Sequence, residues 1–218
     1  MPASSIHGPV EPDHPSADPA IPRPLILASV SPRRQELMRE AGYEFTVVAP
    51  EIDEESYPFS LLPAELARRL AFEKASAVAA QYPSHRVLGA DTVVAFGDRA
   101  MGKPVDAEDA RRMLTLLSGT TQIVITGVAL VCREEGTTVT RVAMSAARMR
   151  ILLPLEIDAY IASGQWRGKA GAYGIQDPDP FVTRISGSHT NIVGLPMEVV
   201  RVMLASAGIR PTRQPGGP

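Results

Sequence analysis

The sequence predicts an α/β or α+β domain built on a mixed β-sheet, and three observations carry that expectation. Short apolar strand-type runs alternate with segments of helical spacing from residue 25 to residue 207. Two long strand-type segments, 122–133 and 137–151, meet at Glu135-Gly136 and read as a pair. Hydrophobic residues make up 44% of the 218 residues and charged residues 21%, enough apolar surface for one sizeable core, whole or divided by a cleft.

The elements follow in order. Residues 25–29 form a short buried strand, and Ser31-Pro32 opens a helix that runs to Ala41 and stops at Gly42. A second strand covers 45–49. A long helix covers 63–81, because Ala67, Leu70, Ala71, Ala75 and Val78 recur at helical spacing. An apolar strand follows at 87–96, then a helix at 106–117 closed by Ser118-Gly119. After the long strand pair come a helix at 155–163 stopped by Gly164, a glycine-rich loop at 169–176, a strand at 181–185 and a last helix at 197–207. Residues 1–23 hold six prolines, three acidic residues and no apolar periodicity, so a disordered Pro-rich extension is expected there. They lack the basic start and apolar block of a secretory signal. Residues 210–218 are expected to be a disordered tail, which leaves 24–209 as the folded domain.

Composition excludes several classes. A formal net charge of −2 provides no basic field for nucleic acid or an anionic membrane. No apolar run approaches the roughly 20 residues of a membrane span. The single cysteine, Cys132, rules out an internal disulfide and multi-cysteine metal sites; its apolar run marks a buried structural thiol, which fits a reducing cytoplasm. His85 and His189 are isolated, and Gly-x4-Gly-Lys-Ser/Thr is absent.

Five places break local rules. Ser29-Val30-Ser31-Pro32-Arg33-Arg34 sets two guanidiniums in the first turn of a helix, where the dipole disfavours cations by roughly 0.3–1 kcal/mol each. Either they are solvated, or they join the free N–H groups in an anion site, with phosphate as the natural guest. Lys74 falls on the apolar stripe of its helix, where it either snorkels outward or meets an anion in a cleft. Asp91 interrupts an apolar strand beside Thr92, with Gly89 allowing close approach; it is a catalytic or metal-binding carboxylate, or the partner of a loop or an arginine. Lys103, in Gly102-Lys103-Pro104, points into a site or into water. Asp53-Glu54-Glu55 is a solvated loop or the source of a second carboxylate for a hard cation; Asp91 plus Glu54 would suffice for Mg²⁺. In the glycine-rich loop, Tyr173 and Gln176 either line a base pocket or belong to a plain turn.

Together these segments form a known order. Ala28-Ser-x-Ser-Pro-Arg-Arg-x-Glu-Leu37, Lys74-Ala75, Leu88-Gly-Ala-Asp-Thr-Val-Val94, Gly102-Lys-Pro104, Leu117-Ser-Gly119, Thr126-Gly127, Lys169-Ala-Gly-Ala-Tyr-Gly-Ile-Gln176 and Val193-Gly-Leu-Pro196 resemble the Maf-like proteins over residues 25–207. These are house-cleaning nucleoside triphosphate pyrophosphatases.

The resemblance implies a two-lobed α/β fold with an elongated mixed sheet flanked by helices, akin to inosine triphosphate pyrophosphatases. It implies a nucleoside triphosphate partner, Mg²⁺ or Mn²⁺ as cofactor and a homodimer. Asp91 takes the place of the proton acceptor, and Ser29, Arg34, Glu54, Lys74 and Lys103 those of the phosphate and metal ligands. Arg33, Thr92 and Gln176 resemble the base-selecting set of the branch acting on dTTP and UTP. The branch preferring 7-methyl-GTP tends to carry a different first residue, Gln at the second position and Glu at the third. One departure follows Gln176. The family usually shows Gly-x-Gly, whereas Asp177-Pro178-Asp179-Pro180 stands here, stiffer and more acidic. Two other functions fit parts of the pattern: a nucleotide-sensing regulator of septum formation without significant turnover, and a purine-preferring pyrophosphatase.

Overall fold

The structure, a computed structural model, describes residues 24–54, 61–178 and 181–212. The disorder expected at 1–23 and 213–218 lies outside them. Within the tail expected from 210, Thr212 donates its N–H to the Gly42 carbonyl at 2.9 Å.

Among the described residues, seven strands form one mixed sheet: β1 (Leu25–Ala28), β2 (Thr46–Val47), β3 (Arg86–Phe96), β4 (Arg99–Met101), β5 (Thr121–Cys132), β6 (Thr137–Met149) and β7 (Val182–Ser186). The order is β2-β1-β3-β5-β6-β7, with β4 pairing β3. β1 is parallel to both neighbours, β2 and β3, whereas β3, β5, β6 and β7 run antiparallel in succession. Six helices among the described residues flank the sheet: α1 (Pro32–Glu40), α2 (Pro63–Gln81), α3 (Ala107–Leu117), α4 (Pro154–Ser163), α5 (His189–Val193) and α6 (Met197–Ser206). The mixed α/β class expected from the alternation is the one observed.

Three elements depart from the expectation. The second strand shrinks from 45–49 to two residues, both exposed, because only Thr46 and Val47 pair with β1. The segment after β3, read as a loop, contains β4: Phe96 pairs Arg99 across Gly97-Asp98, and Gly97 takes φ +59°. The short α5 was not expected. It spans little more than one turn, too short to show periodicity, though the Ser188 side chain accepts the Asn191 N–H and Gly194 ends it.

The long strands pass from one half of the molecule to the other. Leu88 and Ala90 of β3 pack with α1 and α6 in one apolar cluster, and Val87 packs under α2 in a second. Further along, Val94 joins the cluster of α3 and α4, and Val93 and Ala95 join Leu66, Ala67 and Leu70 of α2. Two glycines let α2 lie close on the sheet. A Cβ on Gly89 would stand 2.8 Å from the Ala75 nitrogen, and one on Gly127 would stand 2.6 Å from the Arg68 nitrogen. Cys132 is free and buried. No helix among the described residues is long and apolar enough to cross a membrane.

Candidate active site

A cleft opens where the sheet is incomplete. β1 covers the edge of β3 from Arg86 to Gly89, and β4 covers it from Val94 to Phe96. Among the described residues, nothing pairs that edge from Ala90 to Val93. The chain leaves β1 toward β2 on one side and leaves β3 toward β5 on the other, which makes the gap between their carboxyl ends a topological switch point, the usual place for a ligand in such sheets. A cavity of about 520 Å³ lies there, within the range of nucleotide-sized pockets. Ser29, Arg33, Arg34, Glu54, Lys74, Asp91, Thr92, Lys103 and Gln176 all line it. The structure thus brings together every site residue expected from the sequence.

The gap explains how both faces of β3 serve one cleft. Asp91 faces α2, and Gly127 lies opposite it on β5, leaving room for the helix. Lys74 of α2, 4% exposed, therefore reaches Asp91: its ammonium donates to an Asp91 oxygen at 2.5 Å and pairs with a Glu54 oxygen at 2.9 Å. Of the two readings of Lys74, the cleft reading holds. Glu54 also accepts from the exposed Lys103 at 3.5 Å. Burial works to raise the Glu54 carboxyl, but Lys74 and then Lys103 outweigh it and hold the group below its ordinary value.

Thr92 turns to the opposite face, toward α1. Arg34 spreads its guanidinium over three acceptors: the Gly194 carbonyl at 2.9 Å, the Ser29 hydroxyl at 3.2 Å and the Thr92 hydroxyl at 3.1 Å. Burial lowers this guanidinium from its usual value, and Asp91 pushes back. Arg33 donates instead to the Gly168 carbonyl at 2.9 Å and so ties α1 to the loop across the cleft. That loop contains a single 3-10 turn at Ala170–Ala172. Its Gly171 N–H donates to the Gly102 carbonyl at 2.9 Å, which joins the segments carrying Lys103 and Lys169. Tyr173 also borders the cavity; its hydroxyl is buried with no hydrogen-bond partner among the described residues.

Three supports were given no role in the sequence reading, although Thr126 and Gly194 stood in its motifs. Asn191, fully buried, donates to the Val124 carbonyl and the Ser145 hydroxyl, both at 3.0 Å, and so pins α5. The Gly194 carbonyl just past α5 is then placed to receive Arg34. Thr126 buttresses Thr92, hydroxyl to hydroxyl, at 3.0 Å. The Ser188 cap and the Gly194 stop are the signals that could have located α5.

A model of the Maf-like protein family matches residues 24–207. The chain belongs to the Maf-like proteins. A relative from Cereibacter sphaeroides named "dTTP/UTP pyrophosphatase" is 47% identical over 187 residues, covering 85% of this chain and 95% of that one. Relatives of the same name from Geobacter sulfurreducens and Bacillus cereus are 47% and 44% identical, covering 81% and 80% of this chain and 93% and 91% of theirs. Among solved structures, a HAM1 protein from Coxiella burnetii is similar with a TM-score of 0.48 and 16% identity, covering 84% of this chain and 99% of that one.

The donor set of the cleft suits a hard divalent cation. A single ammonium, that of Lys74, already sits between Glu54 and Asp91, so two carboxylates face one cation position. Among the described residues, no three His, Cys, Asp or Glu side chains gather as a metal cage. Mg²⁺ takes one or two protein carboxylates and completes its shell with water and phosphate oxygens. Two carboxylates beside an anion site meet that requirement.

Proposed function

We propose that this Maf-like protein hydrolyses dTTP and UTP to the nucleoside monophosphate and pyrophosphate. The observation that carries the reading is the Lys74 ammonium held between Asp91 and Glu54 in a cleft that also presents Arg34 and Lys103. Among the described residues, six cationic side chains line the cavity against two carboxylates, a balance suited to a triphosphate.

Arg34, Lys74 and Lys103 bind the phosphates, together with the Ser29 hydroxyl and the first-turn N–H groups of α1 that follow Pro32 and that the Ser31 side chain leaves uncapped. Lys74 exchanges its carboxylate partners for phosphate oxygens as the substrate enters. Asp91 and Glu54 would hold Mg²⁺ or Mn²⁺, which when bound supplies Lewis-acid polarisation of the α-phosphate. Asp91, released from Lys74, accepts the proton of the water that attacks the α-phosphorus. The bond from that phosphorus to the bridging oxygen breaks, and pyrophosphate leaves with the bond's electron pair. At the other end of the cleft, Gln176 stands exposed at the rim and reads the pyrimidine edge, while Arg33 and Thr92 shape the wall beside it. The protein acts in the cytoplasm as a homodimer, without nucleic acid or membrane as partner.

A panel of UTP, dTTP, CTP, ATP and GTP, assayed for pyrophosphate with Mg²⁺ and with chelator, tests the reading. UTP and dTTP are expected to lead, and the chelator to stop turnover. A purine preference, or release of orthophosphate instead of pyrophosphate, would overturn it.

A further inference from the structure

The segment that departs from the family pattern begins at Asp177, whose side chain is held in place. Asp177 and Lys169 lie on either side of the glycine-rich turn, and their side chains are each only 10% exposed. Lys169 pairs with one Asp177 oxygen, and the Tyr160 hydroxyl donates to the other at 2.7 Å. Lys169 and the Tyr160 oxygen are 3.4 Å apart, which closes the triangle. Burial and the Asp177 carboxylate both push the Tyr160 phenol above its ordinary value, so it stays a donor. Tyr160 belongs to α4, and its ring packs edge-on against Phe181 at 4.8 Å. The triangle is therefore anchored in the core.

Asp177 itself does not border the cavity, whereas Lys169 and Gln176 do. Both of its carboxylate oxygens are engaged within the protein, one by Lys169 and one by Tyr160. Its N–H closes a turn onto the Gly174 carbonyl at 3.4 Å. Gln176 sits inside that turn, exposed and without a side-chain hydrogen bond among the described residues. A carboxamide offers a donor and an acceptor, so which pyrimidine edge it favours depends on how it is held. We propose that Asp177 is a positioning residue: its buried bridge to Lys169 and Tyr160 fixes the 174–177 turn, orients Gln176 toward the base and so sets the discrimination between uracil and cytosine nucleotides. This rests on the reading of Gln176 as the group that meets the base.

The same bridge reaches the facing wall. Burial lowers the Arg33 guanidinium, and the Asp177 carboxylate works against that. Arg33 in turn holds the Gly168 carbonyl one residue before Lys169. The Asp177 bridge and the Arg33 tie thus meet at neighbouring residues, Lys169 and Gly168.

The test measures kcat and KM for UTP and CTP in the wild type, Asp177→Asn and Tyr160→Phe. Hydrogen exchange of residues 174–177 is followed in parallel without nucleotide. Asp177→Asn is expected to raise KM for UTP about tenfold, to leave kcat within about twofold and to reduce the UTP-over-CTP preference at least fivefold. Tyr160→Phe should move the same quantities in the same direction by less, and exchange in the turn should quicken in both. If Asp177→Asn does not fold, Tyr160→Phe decides alone. Variants that melt earlier but keep the wild-type preference and KM would reduce the bridge to a purely structural role and sink the inference. A wild type that releases no pyrophosphate from UTP would instead overturn the functional reading, and this inference with it.

Discussion

Replacing Asp91 with Asn separates the catalytic role proposed for this carboxylate from its structural one. The Asp91 and Lys74 side chains are 8% and 5% exposed, so the substitution removes one charge of a buried pair. Breaking such a pair outright costs about 3–5 kcal/mol, because a bare charge is left behind. Here Lys74 keeps Glu54 at 2.9 Å, and the new amide oxygen still accepts a hydrogen bond. The loss should therefore be nearer 1–2 kcal/mol, on the order of a neutral-for-charged hydrogen bond. For a chain of this size, that lowers the melting temperature by about 2–8 °C. Removing a proton acceptor slows turnover by about 10²–10⁴, or roughly 3–5.5 kcal/mol of barrier. Thermal melts and pyrophosphate release from UTP at 25 °C, measured on one preparation, distinguish the two effects. A variant that melts a few degrees early yet keeps kcat within tenfold of wild type would refute the role given to Asp91.

Arg34→Lys replaces a fork that reaches Gly194, Ser29 and Thr92 with a single ammonium, so KM for UTP should rise about tenfold or more, roughly 1.4 kcal/mol; an unchanged KM in steady-state assays would remove Arg34 from the phosphate site. Gly89→Ala drives a Cβ into the backbone of α2 and should cost about 1–3 kcal/mol, read as an earlier midpoint in urea. Acid should weaken the Glu54 link. Its depressed folded value means that its stabilisation is whole above the ordinary glutamate range, about pH 4.3, and fades as pH falls through the lower folded value. The melting difference between wild type and Glu54→Gln should therefore narrow on acidification, and a difference that widened would contradict the assigned direction.

Much of the cleft was legible residue by residue. Lys74 on an apolar stripe and Asp91 in an apolar strand each violated a local expectation, and a violation of that kind needs a partner in space. What neither residue could reveal was that they partner each other. That depends on α2 lying flat over Gly89 and Gly127, contacts between residues far apart in the chain. In the acidic run, Glu54 was expected as the second carboxylate, and the chain path after β2 is what turns it toward Lys74. β4 was not expected, although Gly97-Asp98 between strand-type residues is a local signal for it. The pairing of Lys169 with Asp177 was not legible at all, because it depends on how the glycine-rich turn closes.

By itself, the sequence determined the alternation of elements, the chemistry of each reactive side chain and the positions where that chemistry conflicts with burial. All of these follow from short-range periodicity and from the cost of hiding a charge. Only the tertiary structure decided that β1 ends before β3 does, leaving an open edge through which groups on opposite faces of one strand meet a single cavity. Strand order and loop closure depend on long-range packing, and no local window of the chain contains that information.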